Sequence, residues 1–320
     1  MNLDSKIYIA GHRGLAGSAI ARELLRQGYT NIVTRTHAEL DLEDAAATGK
    51  FFEQERPEIV FLAAAKVGGI HANNTYPVDF LMSNLLIEAN ICRAAHATKV
   101  SRLIFLGSSC IYPRDCAQPI KEEYLLTGPL EATNRPYALA KIAGIEMCWS
   151  YNRQYGAKWL AVMPTNLYGP GDNYDLNNSH VLPALIRKMH EAKVSGASEV
   201  VLWGSGTPKR EFLYVDDLAN ALVFLSTLDD RRYNTLVDPS LCPLINVGSG
   251  EDLTIRKLAE TVAEVVGYRG RFVQDTSKPD GTIRKVMDIS KIRNLGWAPK
   301  VSLIEGISLA YQSYLEVLKR

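Results

Sequence analysis

The sequence has little that would commit it to a membrane, a metal or a nucleic acid. Its 36 Lys and Arg are offset by 35 Asp and Glu, for a formal net charge of +1, so no broad basic surface awaits a phosphate backbone. No apolar stretch approaches the roughly 20 residues that span a bilayer, and the opening Met1-Asn2-Leu3-Asp4-Ser5-Lys6 carries no apolar signal region. Neither secretion nor membrane insertion is expected. Cysteine is sparse: Cys92, Cys110, Cys116, Cys148 and Cys242 are odd in number and have neither disulfide-framework nor metal-ligand spacing. They suit a reducing cytoplasm, and no metal site is expected. Internal repeats, low-complexity tracts and long linkers are also lacking. With 320 residues, 47% of them hydrophobic, the chain can form one extended domain or two closely joined ones.

What is present is a rhythm. Short apolar segments near 6–10, 31–35, 58–63, 102–107 and 159–164 alternate with helical patterns near 16–27, 44–55, 76–97 and 137–155, which predicts a parallel sheet with helices on both faces. The run from Glu58 to Ala65 is apolar on both faces, as a buried parallel strand requires. It breaks at Lys66-Val67-Gly68-Gly69, where small residues would let a cofactor lie over the sheet edge.

The first strand, Lys6-Ile7-Tyr8-Ile9-Ala10, runs into Gly11-His12-Arg13-Gly14-Leu15-Ala16-Gly17 and then a helix through Ala21, Leu24 and Leu25. Glycines there serve a tight turn, close approach of backbone to a pyrophosphate, and close packing of helix on strand. The helix N-terminus receives the phosphate. The expected fold is α/β, a Rossmann-type doubly wound parallel sheet with a smaller C-terminal substrate-binding lobe. Residues 1–166 would bind the dinucleotide and 167–320 mainly the substrate, with late elements near 212–248 rejoining the first part.

The second strand ends Asn31-Ile32-Val33-Thr34-Arg35. A site for NAD usually places an acid there to accept from the ribose 2′-hydroxyl, whereas an Arg accommodates a 2′-phosphate. Arg35 occupies that position, and Arg13 could close on the same phosphate with its planar fork. Two arginines and no acid favour NADP(H); read singly, each is also an ordinary surface arginine.

Tyr137-Ala138-Leu139-Ala140-Lys141 puts a phenol and an ammonium four apart on one helix face, where the cation can stabilise a tyrosinate. Ser108, at the end of the strand Leu103-Ile104-Phe105-Leu106-Gly107, can hydrogen-bond the same substrate oxygen that the phenol protonates. Taken alone, Cys110 reads as a small buried hydrophobe, and His180 reads equally as a helix N-terminal residue bonded to backbone. After Met163-Pro164-Thr165-Asn166 the rhythm loosens into turn-rich loops around a helix near 180–193. A further helix follows Arg210-Glu211-Phe212-Leu213-Tyr214-Val215, with Asp216 or Asp217 as its expected cap. Ile245 to Gly250 reads as a strand and turn before a helix opening at Thr254.

Longer motifs carry a resemblance over nearly the whole chain: Gly11-His12-Arg13-Gly14, Ala63-Ala64-Ala65-Lys66-Val67-Gly68-Gly69-Ile70, Asn73-Asn74-Thr75-Tyr76-Pro77, Gly107-Ser108-Ser109-Cys110-Ile111-Tyr112-Pro113, Pro164-Thr165-Asn166-Leu167-Tyr168-Gly169-Pro170, Asn178-Ser179-His180-Val181 and Trp203-Gly204-Ser205-Gly206-Thr207-Pro208. On these the chain resembles the extended short-chain dehydrogenases/reductases acting on nucleotide sugars, and among them the GDP-L-fucose synthases. The resemblance implies 3,5-epimerisation and NADPH-dependent 4-keto reduction of GDP-4-keto-6-deoxy-mannose to GDP-L-fucose. The chemistry is consistent, because a 4-keto group acidifies the hydrogens on C3 and C5, so an acid and a base on opposite ring faces can invert each centre through an enolate.

The resemblance further implies Cys110 as base, His180 as acid and Tyr137 as proton donor to the C4 oxygen beside Ser108. Lys141 would lower the Tyr137 pKa and hold the nicotinamide ribose. It assigns the cofactor to Gly11, His12, Arg13, Gly14, Leu15, Ala16, Gly17, Arg35, Leu106, Gly107, Lys141, Pro164, Thr165, Asn166, Leu167 and His180, and the GDP sugar to Lys188, Trp203, Arg210, Asp280 and Lys285. Arg210 and Lys285 are suitable diphosphate partners, and Trp203 could cover an apolar edge. Related 4,6-dehydratases carry Thr-Asp-Glu where this chain has Ser108-Ser109-Cys110, since water elimination needs carboxyl groups. Related 4-epimerases, which oxidise and re-reduce one carbon with bound NAD, need no Cys and His pair. A cofactor-sensing module without turnover would need the glycine loop and Arg35 but no proton relay. In the resembled family the helices near 76–97 and 137–155 pair between subunits, which implies a homodimer; Leu85, Leu86, Ile91, Ile142 and Ile145 could face either the sheet or the partner.

Overall fold

The central strands are buried along their whole length and, apart from Arg102, apolar, unlike the strands of an alternating, half-exposed sheet. In the computed structural model, which describes residues 1–176, 178–277 and 280–319, the first part runs β1 (Ile7–Ala10), α1 (Leu15–Arg26), β2 (Ile32–Val33), α2 (Ala45–Glu55), β3 (Ile59–Leu62), α3 (Ile70–Thr75), α4 (Pro77–Ala97), β4 (Arg102–Leu106), α5 (Arg135–Tyr155) and β5 (Trp159–Pro164). The remainder runs β6 (Asn166–Tyr168), α6 (Val181–Ser195), β7 (Glu199–Trp203), β8 (Lys209–Tyr214), α7 (Val215–Thr227), α8 (Asp230–Leu236), β9 (Leu244–Val247), β10 (Asp252–Thr254), α9 (Ile255–Val266), β11 (Arg271–Asp275), β12 (Arg284–Lys285), α10 (Ser290–Asn294) and α11 (Leu303–Leu318).

Six parallel strands form the main sheet in the order β2-β1-β3-β4-β5-β9. The chain therefore moves one way from β1 to β2 and the other way from β3 onward. The crevice this reversal opens, at the carboxyl ends of β1 and β3, is where doubly wound sheets bind ligands. β9 arrives from late in the sequence and covers the β5 edge, with Ala161 opposite Leu244 and Pro164 opposite Val247.

Thr165 alone separates β5 from β6, and there the chain leaves the main sheet for a second one. That second sheet centres on β8, which pairs with β6 and β12 in parallel and β10 antiparallel, while β7 and β11 form a separate parallel pair. A second apolar core lies here, with Leu185, Ile186, Met189, Leu258, Val262 and Ile307 closed off from solvent.

Two local features differ from expectation or escaped it. Neither Asp216 nor Asp217 caps α7: its N-cap is Tyr214 with no side-chain bond, and Asp217 Oδ2 instead accepts from the backbone N–H groups of Lys300 (3.1 Å) and Val301 (2.9 Å). Both acids fall inside the first turn, two and three residues past the cap position. Glu211, fully buried on β8, accepts from Gly250 N at 2.7 Å and Met287 N at 2.9 Å, and its carbonyl accepts from Asn166 Nδ2 at 2.7 Å. One acid thus fastens the β9–β10 turn and the segment after β12 to the central strand of the second sheet. By contrast Thr254 caps α9 as expected, accepting from Lys257 N at 3.1 Å.

Candidate active site

At the reversal between β1 and β3 lies a cavity of about 550 Å³. The glycine turn contributes Gly11, Gly14, Leu15, Ala16 and Gly17; Arg35 comes from beyond β2, Ala63 to Val67 from the end of β3, Leu106 to Ser109 from the end of β4, Tyr137 and Lys141 from α5, Pro164 to Leu167 from the exit of β5, and His180 from the N-cap of α6. Gly11 has φ +87°, and a Cβ there would stand 2.7 Å from Ala64 N; a Cβ on Gly17 would run into the Gly11 carbonyl. Backbone groups at this turn can therefore approach a bound group that side chains would exclude. Such a cradle, opening at the N-terminus of α1 and rimmed by Arg35, fits the phosphates of a dinucleotide.

Two residues assigned to the cofactor stand apart from this lining. His12 and Arg13 do not line the cavity; His12 Nδ1 is buried without a bonding partner, and Arg13 is exposed. Arg13 and Arg35 nevertheless share a rim, since both lower the pKa of Glu39 after the stronger effect of its bonds from Thr36. Sequence reasoning missed the other side of the cleft, where Leu40, Asp41, Leu42 and Glu43 form the wall near Arg35. It also missed Asn84, which is fully buried and bonds both backbone groups of Lys66, at 3.0 and 3.1 Å, fixing the loop after β3.

Ser108, Tyr137 and Lys141 meet as their spacing predicts, with a different charge arrangement. Ser108 caps a short 3₁₀ turn and accepts from Cys110 N at 3.4 Å. Burial pushes the Tyr137 phenol well above its ordinary pKa, Cys110 and Glu88 add to the rise, and Ser108 opposes it. The expected lowering by Lys141 is not found. Its ammonium lies 5.8 Å from the centre of the Tyr137 ring, held by the Leu106 carbonyl at 3.1 Å and by Glu88 Oε1 at 3.1 Å. Glu88, brought in by α4, is a second residue that the motif did not disclose.

Cys110 is buried and lies outside the main cavity, in a small adjoining pocket of about 60 Å³ shared with Lys285, Glu131 and Asn134. Burial raises its thiol pKa; Lys285 most strongly, then Ser108 and Lys141, pull it back. The cation acting on the thiol is thus Lys285 rather than an imidazolium. His180 is exposed at the cleft mouth, yet protein atoms crowding its ring lower its pKa. At neutral pH the pair therefore rests as a thiol and a neutral imidazole.

Of the five residues assigned to the GDP sugar, Arg210 and Lys285 lie on the second sheet, Trp203 ends β7, Lys188 lies on α6 and Asp280 in the segment between β11 and β12. Lys285 lies opposite Arg210 in the β12–β8 register. Burial lowers the pKa of Arg210, with Asp280 opposing, while Asp280 Oδ1 accepts from Ser205 N at 2.6 Å. The Lys188 ammonium stands 4.9 Å from the centre of the Trp203 ring, a cation–π arrangement that leaves the indole at the surface. Among the described residues no group of three or more His, Cys, Asp or Glu could hold a metal ion, and no helix is long and apolar enough to cross a membrane.

A family profile described as NAD dependent epimerase/dehydratase matches residues 7–235. The chain belongs to that family. It is 58% identical over 312 residues to GDP-L-fucose synthase 1 of Arabidopsis thaliana, covering 98% of this chain and 94% of that one. It is 55% identical over 311 residues to GDP-L-fucose synthase of Escherichia coli strain K12, covering 97% of each. Among solved structures, a GDP-mannoheptose C4 reductase from Campylobacter jejuni with NADP bound superposes with a TM-score of 0.89 at 40% identity, over 98% of this chain and 99% of that one.

Proposed function

We propose that this chain converts GDP-4-keto-6-deoxy-D-mannose to GDP-L-fucose, inverting C3 and C5 and reducing the C4 ketone with NADPH. The observation that carries this reading is the meeting of Ser108, Tyr137 and Lys141 over the cleft that His180 borders, with Cys110 bonded through its backbone to Ser108. The 58% and 55% identities to GDP-L-fucose synthases favour this sugar and base over other nucleotide sugars.

The glycine turn with the N-terminus of α1 would hold the cofactor pyrophosphate, Arg35 its 2′-phosphate and Lys141 the nicotinamide ribose. NADPH, when bound, supplies the hydride that reduces C4. In each inversion Cys110 takes a proton from carbon, the released electron pair moving into an enolate whose C4 oxygen rests against Ser108 and Tyr137, and His180 returns a proton to the opposite face. For this the sulfur must first lose its proton and the imidazole gain one. Lys285 draws the thiol in that direction. In the reduction Tyr137 gives its phenolic proton to the C4 oxygen.

Arg210 and Lys285 are the diphosphate partners in this reading, with Asp280 orienting Arg210 and with Lys188 and Trp203 against the sugar or base. The chain acts as a homodimer through α4 and α5, whose exposed Val78, Met82, Leu86 and Leu139 form an apolar face of the kind that two-fold partners cover. Ile91, Ile142 and Ile145 point into the subunit's own core. Five unpaired cysteines accord with a cytoplasmic setting.

The test is NADPH oxidation with the GDP-keto sugar in D2O, followed by NMR of the product. Oxidation with deuterium at C3 and C5 supports the full reaction. Oxidation without ring deuterium reduces the activity to a 4-reductase, and no oxidation removes this substrate altogether.

A further inference from the structure

The pairing of Glu88 with Lys141 takes no part in the steps above. Glu88 projects from α4 and Lys141 from α5, their side chains 1% and 2% exposed, with Glu88 Oε1 and Lys141 Nζ 3.1 Å apart. Gly144, nearly one turn beyond Lys141, makes the room: a Cβ there would stand 2.8 Å from Glu88 Oε2 and collide with the Phe105 ring. The ammonium also donates to the Leu106 carbonyl at 3.1 Å and lies 4.8 Å from the centre of the Phe105 ring. Among the described residues no other donor bonds either Glu88 oxygen. A carboxylate so enclosed has one charge partner, and that partner is the lysine of the Tyr-x-x-x-Lys motif.

We infer that Glu88 is a positioning residue for the reduction: by compensating the Lys141 ammonium and holding it at the Leu106 carbonyl, it withholds that positive charge from Tyr137 and keeps the phenol in its proton-bearing form. The inference rests on the reading of this site as a reductase, in which Tyr137 is a proton donor. An ammonium left uncompensated beside the phenol would favour tyrosinate, which has no proton to give.

The groups that face Glu88 are few. On its own helix its charge acts on Cys92, and from α5 on Tyr137, Lys141 and Cys148; β4 presents the Phe105 ring and the Leu106 carbonyl. Burial pushes the Glu88 carboxyl up to about 7, against the pull of Lys141. The compensation is therefore strongest above neutrality, where a phenol most needs help to stay protonated.

The test follows tyrosinate absorbance against pH in the full chain with NADP+ bound, whose cationic ring lowers the phenol's midpoint toward the accessible range. The Tyr137 signal is wild type minus Tyr137→Phe, and Glu88→Gln minus the Glu88→Gln/Tyr137→Phe double variant. The Tyr137 midpoint should fall by about one pH unit in Glu88→Gln, tenfold in proton affinity. Glu88→Asp, which keeps the charge but draws it back, should lie between. The alkaline limb of kcat for the reduction should move down in step, with the KM for NADPH little changed. A merely structural ion pair would lower stability and leave the midpoint where it was.

An unmoved or raised midpoint in Glu88→Gln overturns the inference; if that variant does not fold, a Glu88→Asp midpoint equal to the wild type does so. The titration uses no sugar, so absence of turnover in the wild type would count against the reductase reading and not against the charge coupling.

Discussion

Arg35 Nη2 lies 2.6 Å from Glu55 Oε1, and its guanidinium carbon stands 5.2 Å from the centre of the Phe51 ring, so α2 holds this arginine in place at the edge of the cleft. A guanidinium held in this way loses little freedom on meeting a phosphate, which favours selection between cofactors. Arg35→Ala should weaken NADPH binding about 10- to 100-fold, the worth of one or two charge-assisted bonds, while leaving NADH binding within about threefold. Dissociation constants for both nucleotides check this; equal losses for the two would remove Arg35 from 2′-phosphate recognition.

Cys110→Ser should reduce epimerisation by about 10²- to 10⁴-fold, the usual contribution of a positioned base, with NADPH binding unchanged. Deuterium incorporation at C3 and C5 is the readout, separate from cofactor oxidation. Unchanged incorporation would show that the sulfur is not the base.

The protonation of that thiol gives a pH dependence. Burial raises the Cys110 pKa and Lys285 lowers it, so the thiolate fraction, and with it ring exchange, should rise with pH across the neutral range. Removing a cation disfavours thiolate. In Lys285→Met the midpoint should therefore move up by about one pH unit, and exchange lost at neutral pH should be recovered in more alkaline buffer. A midpoint that moves down would mean that Lys285 does not act on the sulfur.

Tyr137→Phe removes the phenolic proton and leaves the ring in its edge-to-face contact with Phe80, 6.3 Å between centroids. Cofactor oxidation should fall about 10²- to 10⁴-fold while measurable ring deuteration persists, because Ser108 still faces the enolate oxygen. Equal loss of both activities would place Tyr137 in the inversions as firmly as in the reduction.

Glu211→Leu should destabilise the fold. The backbone N–H groups of Gly250 and Met287 would each lose their acceptor inside the protein, for a total of about 3 kcal/mol. Urea unfolding measures this; a loss below about 1 kcal/mol would mean that water reaches those groups.

What the sequence disclosed and what it did not divide along physical lines. The glycine turn, Arg35 at a strand end and the Tyr137–Lys141 spacing are each set within one element or one strand-to-helix turn, so neighbours in the chain carry the information. Asp217 looked like a helix cap because caps are local, but the N–H groups it satisfies belong to Lys300 and Val301, far along the chain. Cys110 was read beside Ser108, while the cation that acts on it arrives with β12, by a strand pairing that local patterns do not encode. Glu88 went unread, although it shares a helix face with Ile91 and Cys92, both buried, and an acid on such a face requires a partner. Which cation that partner is depends on how α4 packs against α5.

The place of β9 at the edge of the main sheet bears on how the protein is made. Residues 244–247 cover the open side of β5, yet the chain reaches them only after building the β6–β8 segment and two further helices. During synthesis the nascent sheet carries an unpaired parallel edge at Trp159–Pro164 until residue 247 of 320 has left the ribosome. The dinucleotide crevice is thus encoded near the start of the message, while the strand that shelters its sheet from stray pairing is translated in the last third.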